Sequence, residues 1–206
     1  MASSVTSTAK GLNIIDGIGS IQPTFERVVA SVAWQKLQYD FNRCSRILLV
    51  GNGGNLAVCD HGAIDIARLT NKSAAAPGSG ILASSLINDA NHDQWVKNWF
   101  EISTRGLDAA HISKTLLIGL SSSGKSYNVC TALSLALEMG ASASLVTAVP
   151  PTLNGQYNTV VLDICEYHTS EILALALIYQ LIHGSGFSCP TILDSLSQPS
   201  IDYNQR

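Results

Sequence analysis

No stretch of this chain stays apolar for the roughly 18 positions a membrane-spanning helix needs, and no cluster of lysine or arginine occurs along its 206 residues. The first absence argues against a helical membrane span. The second, with a net charge of −3, argues against nucleic acid as the main partner, because gripping a phosphate backbone takes a basic face. Charge is scarce altogether, at 13% of residues against 46% apolar. Such a chain can bury a sizeable core, and two readings of its poorly charged surface stay open. Subunit contacts deplete charge, but a domain rich in small residues needs little of it. The five cysteines (Cys44, Cys59, Cys130, Cys165 and Cys189) are odd in number and form no CxxC pair, which is poor arithmetic for a zinc finger or a disulfide framework. Reduced thiols packed as small apolar residues, and hence a cytoplasmic protein, are the expectation. The opening MASSVTSTAK lacks the apolar core of a signal peptide.

What is present alternates. Residues 1–22 read as a loosely ordered start, 23–186 as a single domain with an N-terminal helix, and 187–206 as a Gly/Ser/Pro-containing tail. Residues 24–42 carry apolar side chains at helical spacing, with Thr24 as N-cap after Pro23. RILLV (46–50) is the aliphatic run of a strand buried on both faces, followed by a helix over 56–69. GILASSLIND (80–89) reads as a second strand and 94–103 as a helix. TLLIGL (115–120) is a strand, SSSGKS (121–126) a loop, and 127–140 a helix closed by Gly140. ASLVTA (143–148) and TVVLDI (159–164) complete the strands, and a long helix runs from 166 to 183. Strands alternating with helices predict an α/β fold, a three-layer sandwich with a five-stranded parallel sheet flanked by helices. Ligands of such sheets bind at the carboxyl ends of the strands, where both unusual loops fall.

The loop GNGGN (51–55) places three glycines within four positions. It misses the dinucleotide fingerprint, since Leu56 stands where GxGxxG needs its last glycine. By itself it is a turn that lets backbone approach a ligand. In the serine loop, Ser121, Ser122, Ser123 and Ser126 offer hydroxyls directly before a helix, whose N-terminal amides favour an anion, and Lys125 adds a positive charge. The bland alternative is a serine-rich helix cap. A triphosphate loop is not expected, Leu120 being read at the place of the first glycine of GxxxxGK[ST], and no nucleotide cofactor is called for.

In order, the GNGGN loop with His61 and Asp65, then INDA, then IGLSSSGKSYNV, resemble the sugar isomerase (SIS) domain over about residues 25–185. The likeness is greatest to the phosphoheptose isomerases, which interconvert sedoheptulose 7-phosphate and an aldoheptose phosphate. The resemblance implies that Ser121, Ser122, Ser123 and Ser126 hold the sugar phosphate with Lys125 beside them, that Asn52, Gly53 and Asn55 line the sugar, and that Asp89 lies near the pocket. Asn55 replaces a family serine, and Lys125 stands where an asparagine is usual. A homodimer or homotetramer is implied as well.

Aldose–ketose isomerisation moves a proton between neighbouring carbons, so it needs a base and a stabiliser for the enediol oxygen. The family supplies a histidine and, four residues on, a glutamate from the helix after the glycine loop. A glutamine and, eight residues on, a histidine come from the last helix, and in some members the four surround zinc. His61 and Asp65 match the first pair and share a helix face. On the last helix, one register puts His168 at the glutamine and Ala176 at the second histidine; another puts Leu173 there. Both lose that histidine. Three readings stay open: isomerase chemistry with Asp65 or Glu171 as base and His168 as the other proton carrier; a divalent metal, zinc first, on His61, Asp65 and His168; or binding of a phosphosugar without turnover, as in SIS-domain regulators. A structural oligomer with a vestigial pocket is the remaining class. Trp34, Trp95 and Trp99 are expected in packing between subunits.

Overall fold

The computed structural model describes residues 16–78, 80–153 and 155–192. After a turn and a short 3-10 segment at Ile18–Ser20 come α1 (Ile21–Val29), α2 (Val32–Arg43), β1 (Arg46–Gly51), α3 (Gly54–Leu69), β2 (Ser73–Ala75), α4 (Gly80–Asp89) and α5 (Trp95–Thr104). Then follow α6 (Ala109–Ile112), β3 (Thr115–Leu120), α7 (Tyr127–Glu138), β4 (Ser142–Thr147), β5 (Asn158–Val161) and α8 (Tyr167–Gly184). The five strands form one sheet in the order β2-β1-β3-β4-β5, and every neighbouring pair is parallel.

Alternate side chains of each strand feed two separate cores, as a sheet covered on both faces requires. Ile47, Leu49, Leu116 and Ile118 meet Trp34, Leu37, Phe41, Ile66, Leu177 and Leu181 under α2, α3 and α8. Leu48, Val50, Leu117 and Leu145 meet Trp95, Trp99, Phe100 and Leu133 under α5 and α7. The three-layer architecture expected from the alternating pattern is present. The tryptophans are corrected: all three are buried within the chain, where they fill its own two cores.

Three local expectations also change. GILASSLIND is helix, not strand. Leu82, Ala83 and Leu86 fall on one face at a period of 3.6 and pack on the α5 side, while Ile81 is exposed. The fifth strand is Ser73–Ala75 instead, an edge too short and too small in side chain to carry a strand signature. The N-terminal helix is two helices. Ser31 takes an extended conformation and its Oγ accepts from the Trp34 amide, which starts α2 afresh; Thr24 lies buried inside α1, with Pro23 tolerated in the first turn. Residues 16–22, expected to be loose, form the turn, the 3-10 segment and the start of α1; the remainder of that stretch, 1–15, and the tail beyond 192 lie outside the described residues. No helix among the described residues is long and apolar enough to cross a membrane.

Asp40 ties α2 to the sheet. Its buried carboxylate accepts from Lys36 at 3.0 Å, from Arg43 Nε at 2.9 Å and from Ser142 Oγ at 3.3 Å, and Arg43 also reaches Ser142. Burial pushes this carboxyl up, but hydrogen bonds from Arg43 and Lys36 outweigh it and hold it below the ordinary 3.8. A group with a lowered folded value stabilises the fold above its unfolded value, and that contribution is lost as pH falls through the folded one. Urea midpoints measured downward from about pH 4 should therefore fall more gently in Asp40→Asn than in the native chain; parallel acid limbs would refute this role.

Candidate functional site

The sheet order reverses between β1 and β3. From β1 the chain moves outward to β2, and from β3 it moves the other way to β4, so the connections open a crevice at the strands' carboxyl ends. β1 empties into the glycine loop and β3 into the serine loop. Gly53, the N-cap of α3, has φ +56° and ψ −127°, a conformation open in practice to glycine alone. A side chain at Gly54 would displace Glu171: a Cβ there would lie 2.3 Å from Oε1 of Glu171 and 2.5 Å from its Cδ. The Glu171 carboxylate thus rests against the first residue of α3, at the mouth of the crevice.

A hydrogen-bonded chain locks the two loops to the start of α8. Asn55 Nδ2 donates to Ser122 Oγ at 3.0 Å, Ser122 and Ser170 hydroxyls lie 2.6 Å apart, and Ser170 donates to the Tyr167 carbonyl at 2.8 Å. Since Ser170 has spent its hydrogen on Tyr167, Ser122 must be the donor between the two hydroxyls. A second latch joins Asn52 and Asn128, whose amides bond reciprocally at 3.0 and 2.9 Å. Ser121 donates to Ser126 Oγ at 2.8 Å. The Ser121 and Ser122 hydroxyls are thus engaged inside the protein, with Ser126 and Ser170. Ser123, whose Oγ accepts from the Lys125 amide at 3.3 Å, and Ser126 each keep a hydroxyl hydrogen. The Tyr127 and Asn128 amides at the start of α7 have no acceptor among the described residues. These donors and the exposed Lys125 give the loop its anion-holding capacity. Ser122, Ser123, Lys125, Cys165, Glu166 and Tyr167 line a hollow of about 180 Å³ beside it. Pockets enclosing a whole ligand start at about 300 Å³, so this one has the size for a phosphate end.

The same stretch needs a correction at sequence level. Gly119–Ser126 reads GLSSSGKS, which meets the GxxxxGK[ST] spacing of a triphosphate loop, so the residues alone do not exclude one. Their placement argues against it. Gly119 belongs to β3, paired with Val50 and Leu145, and a Cβ on it would meet Val129 at 2.6 Å. It is a packing glycine. The Gly124 amide bonds the Ser121 carbonyl at 2.9 Å, closing as a tight turn the arch that a triphosphate would have to occupy.

His61 and Asp65 come together, and His168 does not join them. His61 Nε2 lies 3.2 Å from Asp65 Oδ2, while Tyr179 from α8 donates to the same oxygen at 2.6 Å and lies 3.1 Å from His61 Nε2. Arg68 donates to Asp65 Oδ1 at 2.9 Å. His168, eleven residues before Tyr179 and hence about 16 Å away along α8, is exposed and sits 3.1 Å from the Asp16 carbonyl. Among the described residues no three of His, Cys, Asp and Glu gather as metal ligands. The expected divalent metal does not fit this cluster: Arg68 places a cation on one Asp65 oxygen and the Tyr179 proton occupies the other. Burial pushes Asp65 up, yet the bonds from Tyr179 and Arg68 outweigh it and hold it below the usual carboxylate range. Asp65 is also eleven residues beyond Gly54, about 16 Å along α3. It is a poor base for the loops of its own chain. The bond to Asp65, reinforced by burial, pushes Tyr179 up to about 12, which keeps the phenol protonated.

Asp89, expected near the pocket, ends α4 exposed, with Asn88 as its hydrogen-bond partner at 3.4 Å. Of the expected proton carriers, only Glu171 reaches the glycine loop. Asn128, Ser170 and Tyr179 went unnoticed in the sequence. Tyr179 had one usable signal: it follows Glu171 by eight residues, the spacing the family keeps between its glutamine and second histidine.

No protein-family model matches the chain, and a comparison with curated proteins returns no match. Solved structures do match. Phosphoheptose isomerase GmhA from Neisseria gonorrhoeae superposes with a TM-score of 0.65 at 17% identity, over 81% of this chain and 91% of that one. A phosphoheptose isomerase from Francisella tularensis gives 0.65 at 13% identity, over 81% and 93%. The Vibrio vulnificus NanR protein, solved with ManNAc-6P, gives 0.58 at 16% identity, over 82% of this chain and 59% of that one. The chain thus has the α/β fold of the sugar isomerase (SIS) domain, the fold it shares with the phosphoheptose isomerases.

Proposed function

We propose that this protein binds a sugar phosphate at the β1/β3 crevice and isomerises it between aldose and ketose, with a seven-carbon ketose phosphate as the first candidate. The observation that carries the proposal is the Glu171 carboxylate seated on Gly54, in the glycine loop that leaves β1. A phosphate held by Ser123, Ser126, Lys125 and the first amides of α7 leaves the sugar carbons facing the glycine loop. Glu171 there takes the proton from the hydroxyl-bearing carbon beside the carbonyl and returns it to the former carbonyl carbon, while the hydroxyl proton of the first carbon passes to the former carbonyl oxygen. The glycine-rich backbone of residues 53–55 approaches the developing enediol oxygen closely enough to donate to it. That two similar folds are phosphoheptose isomerases and a third was solved with ManNAc-6P supports a phosphorylated sugar as ligand. Assembly as a homodimer or homotetramer belongs to the proposal, supported by the low charge and by Val32, Ile64 and Ile81, each more than half exposed.

The experiment is hydrogen–deuterium exchange at C1 of sedoheptulose 7-phosphate and at C2 of its aldose product, followed by NMR beside a thermal-shift titration with the same ketose phosphate. Exchange that needs Glu171 supports the isomerase. A thermal shift without exchange would leave a binding module, and neither would remove the sugar assignment.

A further inference from the structure

His61, Asp65 and Tyr179 form a second cluster of proton-handling groups, seven residues beyond Gly54 and about 10 Å along α3. Its donors and acceptors can be assigned by counting. The Tyr179 hydroxyl hydrogen points to Asp65 Oδ2 at 2.6 Å, so toward His61 the Tyr179 oxygen can only accept. Asp65, holding Arg68 on its other oxygen at 2.9 Å, is a carboxylate and also only accepts. His61 Nε2 faces both of them, at 3.1 and 3.2 Å, and must carry a hydrogen to bond either. The neutral ring is then the Nε2–H tautomer, its Nδ1 lone pair without a partner among the described residues. The side chain is 56% exposed.

We propose that Asp65 and Tyr179 hold His61 as a metal-free base, with Nε2–H turned inward and the Nδ1 lone pair presented to a hydroxylated ligand. The arrangement is that of a base oriented by a third group. Nδ1 takes the ligand's proton, the ring becomes an imidazolium, and Asp65 balances its charge. Tyr179 is a positioning residue: its proton fixes Asp65 Oδ2 and stands where a cation bridging His61 and Asp65 would have to lie. Only the identity of the hydroxyl donor rests on the sugar-phosphate reading; the tautomer and the metal-free pairing stand without it.

Nitrogen-15 NMR of the histidine rings, with His61 assigned through His61→Gln, tests this without any activity measurement. The native chain should show His61 protonated at Nε2 and bare at Nδ1. Tyr179→Phe alone should keep that tautomer, because Asp65 still accepts from Nε2, and the double variant Asp65→Ala/Tyr179→Phe, which removes both acceptors, should turn it into a mixture. A native Nδ1–H tautomer, or an unaltered Nε2–H tautomer in the double variant, would overturn the assignment. In parallel, native protein exposed to zinc and desalted should retain none through this cluster. One retained equivalent that disappears in His61→Ala would overturn the metal-free pairing. The native spectrum and the zinc measurement decide even if the double variant does not fold.

Discussion

Gly54→Ala should abolish most proton transfer while leaving the fold standing. The new Cβ would lie 2.3 Å from Oε1 of Glu171, 2.5 Å from Cδ and 2.6 Å from Oε2. All three atoms are the far end of a flexible side chain, so the cheap relief is rotation of the carboxylate out of the crevice, with no backbone shift. Stability should hold, because Gly54 is the first residue of α3, where alanine is tolerated but the gain of up to about 1 kcal/mol over glycine that a helix interior gives is not fully realised. A positioned general base contributes roughly 10²–10⁴-fold, so exchange at the sugar carbons should fall by about that factor. Glu171→Gln should lose as much, and the double variant should lose little more than either alone, since both remove the same group. Thermal melts and exchange rates on the three variants decide. Gly54→Ala with native exchange would show that the carboxylate does not work from this position. A cooperative loss of stability would show that Gly54 answers to the helix and not to Glu171.

How much of this was legible follows from the kind of signal each part carries. β1 and β3 are aliphatic runs bounded by loops, and burial on both faces leaves them no other pattern. β2 is Ser-Ala-Ala at the sheet edge, where a strand needs no apolar face, while Ile81, Leu82, Leu86 and Ile87 read as a strand run although their period is helical. The crevice was legible because parallel strand order and loop position determine it together. Its internal wiring was not. Asn128 and Ser170 sit inside helices, and nothing local marks an asparagine that will pair across 76 residues or a serine that will latch across 48. The serine loop shows the limit of spacing most plainly. GLSSSGKS suits a triphosphate arch and a sugar-phosphate turn equally, and what separates them is the packing of Gly119 within β3 and the Ser121–Gly124 closure. On α8 both registers sought a histidine. The group that meets His61 and Asp65 is a phenol, which a search by residue type passes over.

Gly124→Ala tests whether that closed turn is what holds the anion. Gly124 has φ +62°, and a Cβ on it would lie 2.7 Å from Pro151 Cα and 3.0 Å from Thr147 Oγ1. The left-handed conformation costs a non-glycine residue about 1–2 kcal/mol, and a backbone carbon offers no rotamer to relieve the clash, which adds about 1–3 kcal/mol of overpacking. A loss of roughly 2–5 kcal/mol is expected, a large part of a typical domain's margin. Gly106→Ala separates the two contributions: its φ is +79°, but nothing lies within 4 Å of its Cβ, so it should show the conformational cost alone. If the serine turn is the cradle, the relief at Gly124 moves Ser123, Lys125 and Ser126 together, and the thermal shift produced by a sugar phosphate should vanish in Gly124→Ala while persisting in Gly106→Ala. Equal destabilisation of the two variants would mean that the Pro151 contact gives way freely. A retained shift in Gly124→Ala would place the phosphate somewhere other than this turn.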